Sequence, residues 1–142
     1  MYNFAYGANL DIETMRDRCP DAQLIGKGEL LGYRFITNRN GVASIVESEQ
    51  DCVYGLIWKL SQEDEDFLDL FEGVKGGWYH KKKVMVHCAE GEMECMVYIA
   101  SDQTPGKPVE DYFNTIVSNC IHHGFPKKYI DSLVLREWLW RS

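Results

Sequence analysis

Short apolar runs broken by turn residues fill the first two thirds of the chain, after which the hydrophobic period lengthens to steps of three and four. Met1 to Ala5 reads as a first strand. It feeds through Tyr6-Gly7-Ala8-Asn9-Leu10 into a short helix, Asp11 to Arg18, with an acidic first turn and a stop at Cys19-Pro20. Five further β-rich runs follow, Leu30 to Thr37, Val42 to Val46, Val53 to Leu60, Tyr79 to Cys88 and Glu94 to Ala100, separated by turn residues such as Asn38 to Gly41 and Glu90-Gly91. About six strands in so short a span predict a closed or strongly curled sheet in an α+β chain. A helix is inserted at Ser61 to Phe71, with Ser61 as N-cap, Asp64 at the capping-box position, and Leu60, Phe67, Leu68 and Phe71 on one face. Val109, Tyr112, Phe113, Ile116, Val117, Cys120 and Ile121 mark a long helix, started by Pro108 and stopped by Gly124. Tyr129, Ile130, Leu133 and Val134 predict a last helix ending in Trp138-Leu139-Trp140.

The 142 residues fit one domain, 1–142, large enough to bury roughly 68–70% of its unfolded surface without staples. A net charge of −7 outweighs the Lys81-Lys82-Lys83 run and argues against a nucleic-acid partner. Five cysteines form no C-x-x-C pair, a pattern that suits a reducing compartment. No basic-then-apolar leader precedes Tyr2, and no apolar stretch approaches the roughly 20 residues that span a bilayer. The expectation is a cytoplasmic protein with no membrane partner. Its oligomeric state stays open.

Two local features carry candidate chemistry. In the strand-to-helix junction Tyr6 to Leu10, Gly7 allows close backbone approach, and free N–H groups ahead of the helix favour a carboxylate or phosphate. Glu72 stands between Phe71 and Gly73, at the C-terminus of the inserted helix. The helix dipole and burial beside Phe71, Trp78 and Tyr79 raise its expected pKa, as a general base near neutral pH requires. The alternative at this point is one more solvated acid after Glu63, Asp64, Glu65, Asp66 and Asp69. His122-His123 lack third and fourth ligands at a metal-site spacing, and His80 and His87 differ by an odd number on one strand, which points them to opposite faces.

Taken together, the two features resemble the γ-glutamylcyclotransferase family. Tyr6-Gly7-Ala8-Asn9-Leu10 is similar to its Y-G-S-N-L signature, and Leu68-Asp69 with Glu72-Gly73-Val74 and Gly76-Gly77-Trp78-Tyr79 to its L-D-x-x-E-G-V-x-x-G-x-Y segment. Val53 to Trp58 resembles the central strand, and Gly124-Phe125-Pro126 with Tyr129 the C-terminal helix pair. The resemblance implies a small mixed β-barrel with flanking helices that cyclises a γ-glutamyl amide to 5-oxoproline and frees an amine, without metal or organic cofactor. It implies Glu72 as acid/base on a small-molecule substrate; Tyr6, Gly7, Ala8, Asn9 and Leu10 are the candidate substrate-binding residues, with the backbone N–H groups from Gly7 to Leu10 assigned to the substrate carboxylate or the developing oxyanion. Tyr79 and Tyr98 are candidate pocket walls, with plain barrel core as the alternative. Ala8 departs from the family's usual Ser. That departure keeps a second reading open, a non-catalytic binding protein on the same barrel.

Overall fold

The structure is a computed structural model that describes residues 1–141, with side-chain surroundings through Arg136. Strands β1 (Tyr2–Ala5), β2 (Gln23–Thr37), β3 (Ala43–Lys59), β4 (Tyr79–Cys88) and β5 (Gly91–Ala100) form a closed barrel in the order β1-β3-β2-β4-β5. Helices α1 (Ile12–Arg18), α2 (Gln62–Phe71), α3 (Glu110–His122) and α4 (Lys127–Arg141) flank it, and a single 3-10 turn, Ala8–Leu10, joins β1 to α1. All strand pairs are antiparallel except β1 with β5, which run parallel and meet at Asn3↔Met96. The expected α+β barrel with flanking helices is present.

Two expected runs prove to be one strand. Val42 to Val46 and Val53 to Leu60, apart from their end residues Val42 and Leu60, both belong to β3, whose 17 residues pair with a β2 that begins at Gln23 rather than Leu30. The polar interval between the runs does not end the ladder; it bulges out of it. The register jumps from Leu31↔Cys52 to Tyr33↔Glu47, so residues 48–51 stand opposite Gly32 alone, whose φ of +83° supplies the bend. Five strands therefore close the barrel.

Phe4, Leu30, Ile45, Ile57, Trp58, Val86 and Val97 fill the core, and α3 covers it with Phe113, Ile116 and Cys120. The outer residues of both predicted helix faces stay in water. Val109 and Ile121 are exposed at the ends of α3, and on α2 only Leu68 is fully buried. Phe67 and Phe71 are exposed and stack on one another with ring centroids 6.4 Å apart, because α2 lies against the barrel by one narrow edge. The predicted Trp138-Leu139-Trp140 terminus falls in the last turns of α4, and its side chains lie outside the described residues. The five cysteines are unpaired. No helix among the described residues is long and apolar enough to cross a membrane.

Close approach of β1 to β3 depends on a missing side chain. A Cβ on Gly55 would sit 2.3 Å from the Ala5 carbonyl oxygen and 2.8 Å from the Phe4 ring. Gly55→Ala is therefore expected to destabilise the protein by about 1–3 kcal/mol, the usual cost of overpacking. Urea unfolding followed by tryptophan fluorescence measures it. An unchanged midpoint would show that β1 has room to shift.

Candidate active site

Local sequence fixes where α2 starts and stops. The Ser61 hydroxyl accepts from the Asp64 N–H at 3.1 Å, and the Asp64 carboxylate reaches back to the Ser61 N–H, closing the capping box. At the other end Glu72 is the C-cap and Gly73, with φ +66°, takes the left-handed position. The Val74 N–H donates to the Asp69 carbonyl at 3.0 Å and the Gly73 N–H to the Leu70 carbonyl at 3.1 Å, the paired bonds of a Schellman motif. Trp78 packs against the glycine: a Cβ there would lie 2.9 Å from its Cδ1. The order Glu-Gly-Val thus has a backbone reason, because only glycine turns the chain here with Trp78 in place.

Side chains then hold the helix end over the barrel. Lys81 of β4 donates to Glu65 and Asp69, one helical turn apart on α2, at 2.8 Å each. Tyr98 of β5 donates to the other oxygen of Asp69 at 2.7 Å. Part of the acidic run read as a solvated face is in fact this clamp, and Asp64 is buried as a cap.

Opposite Glu72 lies the β1–α1 junction. Leu10 and Asp11 donate to the carbonyls of Gly7 and Ala8, at 3.0 and 3.2 Å, so the turn's own hydrogen bonds begin at Leu10. The N–H groups of Ala8 and Asn9 precede that first donor and have no acceptor within the turn. Leu10 differs from expectation: it is fully buried, its N–H is spent on Gly7, and its carbonyl accepts from His123 Nε2 at 2.6 Å. It anchors the loop from below. Asn9 is tied down as well, its carbonyl accepting from the Trp58 indole at 3.2 Å and its side-chain oxygen from Arg18 at 2.8 Å.

These parts face one cavity of about 330 Å³, lined by Tyr6, Gly7, Ala8 and Asn9 from the junction and by Glu72, Tyr79 and Tyr98 across from it. A larger cleft of about 910 Å³ between α1 and α3, lined by Asp11, Asp111, His122 and His123 among others, does not include Glu72. Partly buried Glu72 has its carboxyl pushed up to about 7 by desolvation, with Arg18 opposing the rise. Burial also raises Tyr6, Tyr79 and Tyr98, which stay protonated and serve as donors. Tyr6 donates to the Tyr98 carbonyl at 2.6 Å and Tyr79 to the Ala43 carbonyl at 3.1 Å, so the tyrosines brace the cavity walls. A carboxyl pushed up to about 7 can exchange protons with a bound ligand, and backbone N–H groups at the start of the facing turn can hold an anionic or developing negative oxygen.

Sequence reading missed three polar lining residues among the described residues. Arg18 lies with its guanidinium carbon 3.8 Å from the centroid of the Phe71 ring, and among the described residues it is the one Lys or Arg lining the cavity. Tyr112 of α3 accepts from the Ala43 N–H at 3.2 Å. Asn3 enters from β1. An arginine in the last turn of a helix is satisfied by the dipole alone, and a tyrosine at helical spacing reads as core, so neither signals a site.

Comparison with known proteins agrees with this geometry. A family profile described as the AIG2-like family matches residues 52–133, a segment that contains Glu72, Tyr79, Tyr98 and Tyr112. A human gamma-glutamylcyclotransferase is 30% identical over 141 aligned positions, covering 92% of this chain and 75% of its own. Its bovine counterpart is 31% identical over 137 positions, with coverages of 89% and 73%. A solved structure of a gamma-glutamyl cyclotransferase superposes with a TM-score of 0.85 at 29% identity, covering 94% of this chain and 85% of that one. Sequence match over more than half the chain and the shared barrel lead to one conclusion: the chain belongs to the AIG2-like family.

Proposed function

We propose that this chain, acting as one domain over residues 1–142 in the cytoplasm, is a γ-glutamylcyclotransferase-type enzyme that converts a γ-glutamyl amide to 5-oxoproline and a free amine. One observation carries the reading: a carboxyl with its pKa raised to about 7 shares a cavity with Gly7, Ala8 and Asn9 of the β1–α1 turn. The substrate supplies its own nucleophile. Ionised Glu72 takes a proton from the α-ammonium, the freed amine attacks the γ-carbonyl carbon, and a five-membered ring closes. The amide C–N bond breaks as Glu72 returns the proton to the departing nitrogen. A second ammonium proton leaves with the product amine, and one stays on the ring nitrogen. The backbone of Gly7, Ala8 and Asn9 holds the substrate carboxylate or the developing oxyanion, and Tyr6, Tyr79 and Tyr98 shape the walls. No step calls for a cofactor. Ala8 favours the second reading, a binding protein that has lost the reaction with the family's usual Ser.

Incubation with γ-glutamyl amino acids, γ-glutamyl amines and glutathione, with 5-oxoproline quantified, tests the proposal. Glu72→Gln is expected to lower turnover by about 10²–10⁴. In the wild type kcat/KM falls about tenfold per pH unit below about 7, because only the ionised carboxyl accepts the proton. A pH-independent rate, or equal turnover by the variant, would remove Glu72 from the mechanism.

Stability is expected to move the other way. The folded carboxyl holds its proton up to about 7 and the unfolded one releases it near 4.5. Between those values the native state binds more protons, so this group's contribution to stability falls as pH rises through the window and is then constant. Glu72→Gln is expected to be more stable than wild type at pH 8 by about 1–3 kcal/mol, with the difference gone below about pH 4. Thermal melts at the two pH values measure it.

Ala8→Ser decides between the readings. If backbone N–H groups suffice, the hydroxyl changes kcat/KM by no more than about tenfold, the worth of one neutral hydrogen bond. A wild type without 5-oxoproline release that gains it through this substitution would instead establish the binding protein.

A further inference from the structure

Two buried side-chain polar atoms among the described residues have no hydrogen-bond partner, the Tyr129 hydroxyl and Asn3 Oδ1. Asn3 lines the cavity and Tyr129 does not. Asn3 is only 2% exposed and sits at the parallel meeting of β1 with β5. Its Nδ2 donates to the Met96 carbonyl at 3.2 Å, and this bond fixes which way the amide faces, since turning it over would set two oxygens against each other. Oδ1 is left as a buried acceptor. Such an atom is costly unless a donor meets it, and in a cavity wall the donor comes from what fills the cavity.

We infer that Asn3 Oδ1 accepts a hydrogen bond from the α-amino group of the glutamyl substrate and aims that nucleophile at the γ-carbonyl. The inference rests on the cyclotransferase reading and adds a substrate-touching residue to it. A γ-glutamyl amide offers two kinds of donor, the ammonium and the scissile amide N–H; its carboxylate is an acceptor and is repelled by Oδ1. The ammonium is the better match, because a charged donor gains more from a buried acceptor than a neutral one. The bond also persists through the reaction. Once Glu72 has taken one proton the amine keeps two, and one of them stays on Oδ1 while the lone pair turns to the carbonyl carbon. Glu72 and Asn3 then divide the work on one nitrogen: the first removes a proton, the second directs what remains.

The test compares two ligands in two proteins. In the slow Glu72→Gln background, calorimetry measures binding of the best γ-glutamyl amino acid from the panel and of its glutaryl counterpart, which lacks only the amino group. With Asn3 present the γ-glutamyl ligand is expected to bind about ten- to a hundredfold tighter, and Asn3→Leu is expected to bring the two affinities together. Loss of affinity for both ligands alike would mark Asn3 as structural and overturn the inference. So would a preference that survives in Asn3→Leu, since the amide N–H is common to both ligands. If Asn3→Leu fails to fold, Asn3→Asp gives the answer: it keeps an acceptor in place and must preserve or increase the preference, and a drop overturns the inference. Parallel 5-oxoproline assays of the wild type separate the levels. Release of product without an Asn3-dependent preference sinks this inference alone, and no release from any γ-glutamyl compound sinks the cyclotransferase reading together with it.

Discussion

Everything around the cavity serves to keep one carboxyl out of water at a helix end that disfavours its charge. Desolvation is the largest cause of the raised Glu72 pKa, and Arg18 pulls the other way. The two effects set a middle value. A solvated Glu72, with a pKa near 4.5, would be a weaker base toward the substrate ammonium, whereas a fully buried carboxyl without a cation nearby would rarely give its proton up. Arg18 is kept at its post by the Phe71 ring and the Asn9 side chain, so one guanidinium ties the acid's surroundings to the substrate loop.

Keeping a carboxyl in an unfavourable place requires that the helix beneath it cannot yield. The Schellman bonds stop α2 at Glu72, Trp78 closes over Gly73, and Lys81 with Tyr98 grips Asp69 one turn earlier. Each of these contacts is ordinary in strength. Their value lies in acting on the same turn from different strands, so that fraying the helix end means breaking several of them together.

What could be read from the sequence was what depends on near neighbours. Ser61 with Asp64 announces a capping box, and Glu72-Gly73 announces a helix end, because cap geometry is decided within a few residues. The barrel followed from alternating runs, and the Y-G-A-N-L and E-G-V segments from resemblance to a family. Asn3, Arg18 and Tyr112 were not legible. Each sits in an element that local pattern explains completely, and each becomes part of the site only because barrel closure brings residues 3, 18, 72 and 112 to one cavity. The acidic run on α2 misled in the same way: Lys81, 12 residues beyond Asp69, turns part of it from solvated face to clamp. The unbroken β3 was hidden for a different reason, since its polar interval is a real departure from the ladder that ends as a bulge instead of a turn.

The parallel meeting of β1 with β5 at Asn3 and Met96 has a bearing on how the protein acquires activity. These residues are 93 positions apart. Contacts that close so long a loop bear an entropy cost before they are rewarded, and they slow folding. Since β1 also delivers the loop that faces Glu72, a collapsed chain with α2, α3 and the β2–β3 hairpin already in place would still have no cavity. Enzymatic competence in this architecture thus requires β1 to be docked on both of its neighbours, and recovery of turnover after dilution from denaturant would report that docking more directly than any signal from helix content.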